Sequence, residues 1–344
     1  MIKRITIVLV LMLNFKFVFS QIGGNNTFEF LNLNSSARVA ALGGNAIATR
    51  TDDVSLVSGN PSQLMPAMNN QMALSFVNYF AGINYGDVAY ARSVKRLGMF
   101  SGNLHYINYG SFDQTDVIAT EIGKFNASEY ALGLSWARPL DSSFFIGATI
   151  KGIYSNLETY SSTGIAADVG VTYYNSKHLI DITTVVRNLG SQMDHYIEGN
   201  REKIPYEIQF GISKQLVKAP LRFSLIAQHL EKFNITYKDP NNAGVDPLTG
   251  ESNEKKIKFS DKILRHLIIN TEVLISKGFN LRIGYNFERR KELGIENKMG
   301  LSGLSGGFGM RINRFNFNYA YSKYHVAGGS NSFTVATVLA KRSK

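Results

Sequence analysis

The sequence predicts an all-β protein: a 14-stranded antiparallel transmembrane β-barrel with a small N-terminal plug (hatch) of short helices. Three observations predict it. A leader-like start is followed by no further apolar stretch of helix-spanning length. From Gln71 onward, large apolar residues alternate with small ones at a period of two. The connections between these alternating segments themselves alternate between short and long.

The start reads as a secretory signal. In Met1–Ser20, Lys3 and Arg4 form a basic region, Ile5–Leu13 an apolar run interrupted only by Thr6, and Val18 and Ser20 the small-residue positions before a cut ahead of Gln21. A nine-residue run falls well short of the ~20 that a spanning helix needs. The compartment this implies lies outside the cytoplasm. The 344 residues contain no cysteine, which excludes disulfides, thiolate metal sites and a cysteine nucleophile. A formal net charge of +11 would suit an anionic partner, but the Lys and Arg residues are scattered, so no nucleic-acid surface is expected.

The alternation is clearest in Ser128–Arg138. Tyr130, Leu132, Leu134 and Trp136 fall on one face; Ala131, Gly133, Ser135 and Ala137 fall on the other. Phe315, Phe317, Tyr319 and Tyr321 alternate with Asn316, Asn318, Ala320 and Ser322 in the same way. A soluble sandwich would turn the bulky face inward, whereas a membrane barrel turns it to lipid and keeps small or polar residues inside. Closure also removes the sheet edges that hydrocarbon cannot solvate. Strands are expected near 70–78, 84–94, 98–108, 128–138, 143–154, 165–175, 179–188, 206–215, 221–229, 264–275, 279–288, 303–312, 314–323 and 332–340. Connections at 95–97, 139–142, 176–178, 216–220, 276–278 and 313 are tight; those at 109–127, 155–164, 189–205, 230–263 and 289–302 are long. Short periplasmic turns and long outer loops give that rhythm. Strand parity then puts both termini in the periplasm and the 79–83 turn outside.

The search for chemistry yields little. His105, His178, His195, His229, His266 and His325 have no zinc spacing, so no metal or cofactor is expected. Asp239, Asn241, Gly244 and Asp246 faintly resemble a calcium loop, but Gly250 stands where the bidentate glutamate should be, and a solvated turn-rich loop is the better reading. Gly300, Gly303, Gly306, Gly307 and Gly309 do not open a helix, which fails the dinucleotide reading and leaves close backbone approach inside a barrel. Asp52 and Asp53 are adjacent carboxylates, and capping a short helix is the expected role rather than acid–base catalysis. No catalytic residue is expected, and the protein reads as a non-enzyme.

The organisation is therefore a signal peptide at 1–20, a plug at 21–68 and the barrel at 69–344. Within the plug, Ser35 or Ser36 should cap a short helix ending at Leu42, with Gly43 or Gly44 as its left-handed terminator. Asp52 should cap a second turn, and Asn60 a third with Pro61 at its first position. The run Ala37–Thr49 (ARVAALGGNAIAT), followed by Asp52-Asp53-Val54-Ser55 and Asn60-Pro61-Ser62, resembles the N-terminal plug signature of the FadL-type outer-membrane barrel superfamily. The lead-in Phe28–Gly44 is similar to that of the PorQ-type, PorV-like branch. This resemblance implies a fourteen-stranded barrel with an internal hatch, whose structural plug positions here would be Arg38, Gly43, Gly44, Asp52, Asp53, Asn60 and Pro61. It implies a place in the type IX secretion system attachment complex with PorU, PorV and PorZ-like partners, which anchors C-terminal-signal cargo to lipopolysaccharide in the outer membrane. The alternative from the same signature is a FadL-like transporter of hydrophobic small molecules. Ser62 replaces the usual alanine after Asn-Pro, and the chain ends on Ala340-Lys-Arg-Ser-Lys344 instead of the aromatic residue common in such barrels.

Overall fold

The computed structural model describes residues 26–236, 258–292, 301–325 and 328–339. Residues 1–20, the 239–250 stretch read against calcium, Gly300 and Ala340–Lys344 lie outside the described residues. After the N-terminal segment, fourteen strands follow: β1 (Gln71–Asn78), β2 (Asn84–Val94), β3 (Gly98–Thr115), β4 (Glu121–Pro139), β5 (Phe144–Leu157), β6 (Tyr160–Asn175), β7 (Ile180–Asp194), β8 (Glu207–Gln215), β9 (Leu221–Ala227), β10 (Leu267–Val273), β11 (Phe279–Asn286), β12 (Leu304–Ile312), β13 (Phe315–His325) and β14 (Gly328–Val338). Each pairs antiparallel with its sequence neighbours, and β1 pairs with β14 from Gln71↔Val338 to Asn78↔Asn331, closing the barrel.

The two faces are the ones the alternation predicts. On β4, Leu132 and Leu134 are 65% and 60% exposed on the outer surface, while Ala131 and Ser135 are buried at 4% and 1%. Aromatic residues cross-pair on the outer face, Tyr106 with Tyr130 and Tyr130 with Tyr154. Inside, hydroxyls satisfy one another across strands: Ser75 with Thr334 at 2.8 Å and Ser135 with Thr149 at 2.8 Å. Small polar residues thus leave room in the lumen while pairing with one another across the strands.

Two stretches read as loops are largely strand. The pairing of β3 with β4 continues to Thr115↔Glu121, and β5 and β6 are joined by two residues only, 158–159. Outward positions beyond Tyr130 on β4 become Ser128, Asn126 and Lys124, so this hairpin rises clear of the apolar belt as a solvated ladder. The rim is uneven: β4 has nineteen residues, β9 and β10 seven each. Over the low side sit two short helices, α2 (Phe259–Arg265) and α3 (Phe287–Glu292), joined by Lys291–Asp261 at 2.7 Å, while α1 (Ala37–Ala41) lies in the plug.

The N-terminal segment runs the length of the lumen. Asn26 bridges Lys203 in the β7–β8 connection, so the first described residue lies at the long-loop end, while Gln71 and Val338 lie at the short-turn end. The sequence reading puts both termini at the short-turn end; the terminal residues themselves lie outside the described residues, and the described part of the segment starts at the long-loop end. Strand parity locates only the barrel's own ends and is blind to a segment threading back through it. In the long-loop half, Phe28, Phe30 and Leu31 pack on Val77, Tyr85, Ile107 and Ile153 of the wall. In the short-turn half, Val54, Val57, Leu64 and Met68 pack on Ala73, Ala89, Met99 and Ala336. Each large apolar side chain so buried contributes on the order of 2 kcal/mol.

Candidate functional site: the plug–wall junction

The segment's first element is α1 (Ala37–Ala41). Ser36 occupies its N-cap position but makes no side-chain cap; its hydroxyl bonds that of Ser55 at 2.8 Å. The first helical N–H, that of Ala37, is instead accepted by Thr334 of β14 at 2.9 Å, so the wall caps the helix. At the other end the Gly44 N–H donates to the Val39 carbonyl (3.0 Å) and the Gly43 N–H to the Ala40 carbonyl (3.3 Å). This is a Schellman closure, and the φ of +86° at Gly43 is the left-handed turn it requires.

The sequence reading assigned the next cap to Asp52. The structure gives it to Asp53, whose Oδ1 accepts from Ser55 N (3.1 Å) and Ser55 Oγ (2.7 Å). Asp52 is half exposed and pairs with Arg311 at 3.1 Å. Either aspartate could cap by composition; Asp53 is the one with a serine two residues on, in reach of both donors. Asn60 caps the turn Pro61–Gln63 through Ser62 N (3.0 Å) and Ser62 Oγ (2.7 Å), and its amide donates to the Ile47 carbonyl (2.8 Å). Pro61 sits at the first helical position, where no N–H is needed. Ser62 Oγ then joins Thr172 Oγ1 (2.7 Å), which joins Thr183 (2.6 Å), tying this turn to β6 and β7. Asn60→Ala removes the cap and the tie to Ile47 together, and a loss of about 1–2 kcal/mol is expected from the cap. The barrel's unfolding midpoint in urea should fall, and an unchanged midpoint would contradict the capping role.

Arg38 is the plug's charged anchor. Its Nε and Nη2 donate to Glu272 Oε1 on β10 at 3.0 and 2.7 Å. Arg282 Nε donates to the same oxygen at 3.1 Å, and Arg222 Nη1 to Oε2 at 2.8 Å. One carboxylate, 1% exposed, thus holds three guanidinium groups from the plug, β9 and β11. Nothing local in the sequence signals Glu272, which lies 234 residues from Arg38.

Glycines make the remaining contacts, and most of them are on the wall. A Cβ on Gly284 would lie 2.2 Å from Gly43 N and 2.3 Å from Leu42 C. On Gly147 it would lie 2.4 Å from Pro61 C, and on Gly170 2.4 Å from Asn60 Oδ1. On Gly307 it would lie 2.9 Å from the Ala41 Cβ. Gly303, Gly306, Gly307 and Gly309 accordingly lie at or in β12 as part of the wall. The plug therefore meets the wall backbone to backbone on β5 and β11, and through the short side chains of Asn60, Ser62 and Ala41 on β6 and β12.

At the long-loop rim His229 lies within 3.4 Å of Glu231, 3.6 Å of Glu288 and 3.7 Å of Glu207. Burial opposes its charge, but the Glu231 hydrogen bond and the fields of Glu207 and Glu288 outweigh burial and push its pKa up to about 10. A folded pKa raised above the ordinary 6.5 gives stability that is complete below 6.5 and is lost as pH rises through about 10. Subtilisin should therefore cut the 228–236 and 258–266 segments faster at pH 10.5 than at pH 7, and His229→Gln should be cut readily at both. Equal rates for the wild type across that range would contradict the assignment.

No protein-family model matches the sequence, and no curated protein is significantly similar to it. Solved structures do share its fold. The Ralstonia pickettii toluene transporter TbuX is 11% identical over 89% of this chain and 97% of that one, with a TM-score of 0.52. A Pseudomonas aeruginosa FadL homologue is 10% identical over 89% and 98%, with a TM-score of 0.50. The CymD monoaromatic hydrocarbon channel is 10% identical over 92% and 100%, also with a TM-score of 0.50. A closed barrel of fourteen antiparallel strands, with short helical turns in its N-terminal segment, is the fold of the FadL-type outer-membrane barrels, and it is the fold of this chain.

Proposed function

We propose that this chain is a non-enzymatic outer-membrane barrel that acts as a closed scaffold in the type IX secretion system's attachment complex. Its long loops and short turns would face the cell exterior and the periplasm respectively. PorU, PorV and PorZ-like proteins would be its partners, and lipopolysaccharide-anchored cargo would be delivered through the complex. The observation that carries the closed-scaffold reading is the packed junction: the plug abuts wall glycines on four strands, backbone to backbone at Gly147 and Gly284, and the cavity between Leu31, His105, Lys151 and Arg187 holds about 30 Å³, room for one or two waters. The secretion role itself rests on the resemblance of Phe28–Ser62, and nothing in the compared structures speaks of secretion.

A second reading, transport of hydrophobic small molecules, is the one the compared structures support, since TbuX is a toluene transporter and CymD a monoaromatic hydrocarbon channel. Fold alone does not fix function. One deletion strain separates the two. The secretion reading expects cargo to be lost from the cell surface, with uptake of toluene and long-chain fatty acids unchanged. Retained cargo with reduced uptake would overturn it in favour of transport.

A further inference from the structure

At the short-turn end, below the plug, the lumen opens into a cavity of about 540 Å³ bounded by Arg38, Arg222, Arg282 and Arg311, with Lys277 on the β10–β11 turn. Three carboxylates face these five cations. Glu272 is shared by Arg38, Arg222 and Arg282, Asp53 lies 3.8 Å from Arg38, and Asp52 pairs with Arg311 at the rim. Lys277 makes no ion pair among the described residues, so positive charge is left in excess around the space.

The donors are also incompletely used. Arg282 is buried; its Nε and Nη1 are spent on Glu272 and Asn318, and its Nη2 has no hydrogen-bond partner among the described residues. Asn280, beside it on the same wall, has its side-chain oxygen buried without a partner, and the amide turned over would place its NH2 donors there instead. Both groups crowd Gly309: a Cβ there would lie 2.7 Å from Arg282 Nη2 and 2.8 Å from Asn280 Oδ1. The glycine therefore keeps the guanidinium edge and the amide open to the cavity. Buried polar groups are normally satisfied, and a guanidinium matches carboxylate and phosphate oxygens through paired N–H donors.

We infer that this cavity is a binding site for a small multivalent oxyanion, phosphate being the simplest, entering from the short-turn mouth. The anion would lie between the Arg282 edge, the Asn280 amide turned to donate, and Lys277. The site is distinct from the packed junction above it and stands under either functional reading.

Pyrophosphate is the probe, titrated calorimetrically into the full-length barrel in detergent at constant ionic strength. Saturable one-to-one binding is expected, weakened at least tenfold in the double variant Lys277→Ala/Asn280→Ala and abolished in Gly309→Leu. Each variant is checked first for heat-modifiable migration on gels. Absence of saturable binding by the wild type would overturn the proposal, as would unchanged affinity in the folded double variant. If the variants do not assemble, acylation of Lys277 in the wild type decides: pyrophosphate should slow it at least fivefold relative to Lys218, and equal rates would sink the site.

Discussion

Replacing Gly284 with alanine is expected to keep the plug from seating and to leave little heat-modifiable barrel in the outer membrane. The added carbon would stand 2.2–2.8 Å from Gly43 N, Leu42 C and Leu42 Cα. All three are backbone atoms, held by the Schellman closure of α1 on one side and by the β11 ladder on the other. Neither side has a flexible side chain to give way, so plug or wall must shift bodily. Overpacking a well-packed interior costs about 1–3 kcal/mol, occasionally more, and this clash belongs at the upper end. Gly152→Ala on β5 is the matched control, because a Cβ there meets nothing within 4 Å. Quantitative gel-shift analysis of outer-membrane fractions should separate the two sharply. Equal assembly of both variants would show that the wall glycines do not set the fit.

Glu272→Gln should have the second-largest effect. The substitution keeps size and shape but removes the negative charge that three buried guanidinium groups share. Removing one partner of a buried pair typically costs about 3–5 kcal/mol, because the remaining charges stay buried and uncompensated. Here three cations remain, with Asp53 3.8 Å from Arg38. Urea unfolding of the refolded barrel should show a large fall in midpoint. Arg38→Met should partly restore stability in the double variant by removing one of the stranded cations. A midpoint unchanged by Glu272→Gln would mean that the cluster is solvated and does not hold the plug.

The strands were legible because lipid outside and a crowded lumen inside impose opposite demands on neighbouring residues. Tyr130, Leu132, Leu134 and Trp136 show this without any tertiary information. The upward extension of β3 and β4 was not legible, since the outward positions Asn126 and Lys124 are polar and the large apolar residues that mark the membrane-facing strands stop at Tyr130. Caps at Asn60 and the closure at Gly43 could be read from local chemistry. The choice between Asp52 and Asp53 depended on the position of Ser55 relative to each. Gly147, Gly170 and Gly284 read only as small inward residues; their contact with the plug emerges when distant segments are brought together. Glu272 and Thr334 were missed for the same reason, as partners more than two hundred residues from the plug groups they serve.

The central claim is that the segment before β1 lies inside the barrel, tied to its wall. The chain has no cysteine, so an introduced pair reports without background. Ser62 Oγ and Thr172 Oγ1 are 2.7 Å apart, 110 residues apart in sequence, and this proximity suits a disulfide. In Ser62→Cys/Thr172→Cys, oxidation of intact outer membranes should close this loop in most molecules, giving faster migration of the unreduced, heat-denatured chain that reductant reverses. Two free thiols, both labelled by maleimide in a barrel that still shows the heat-dependent gel shift, would place the segment outside the lumen and contradict the account.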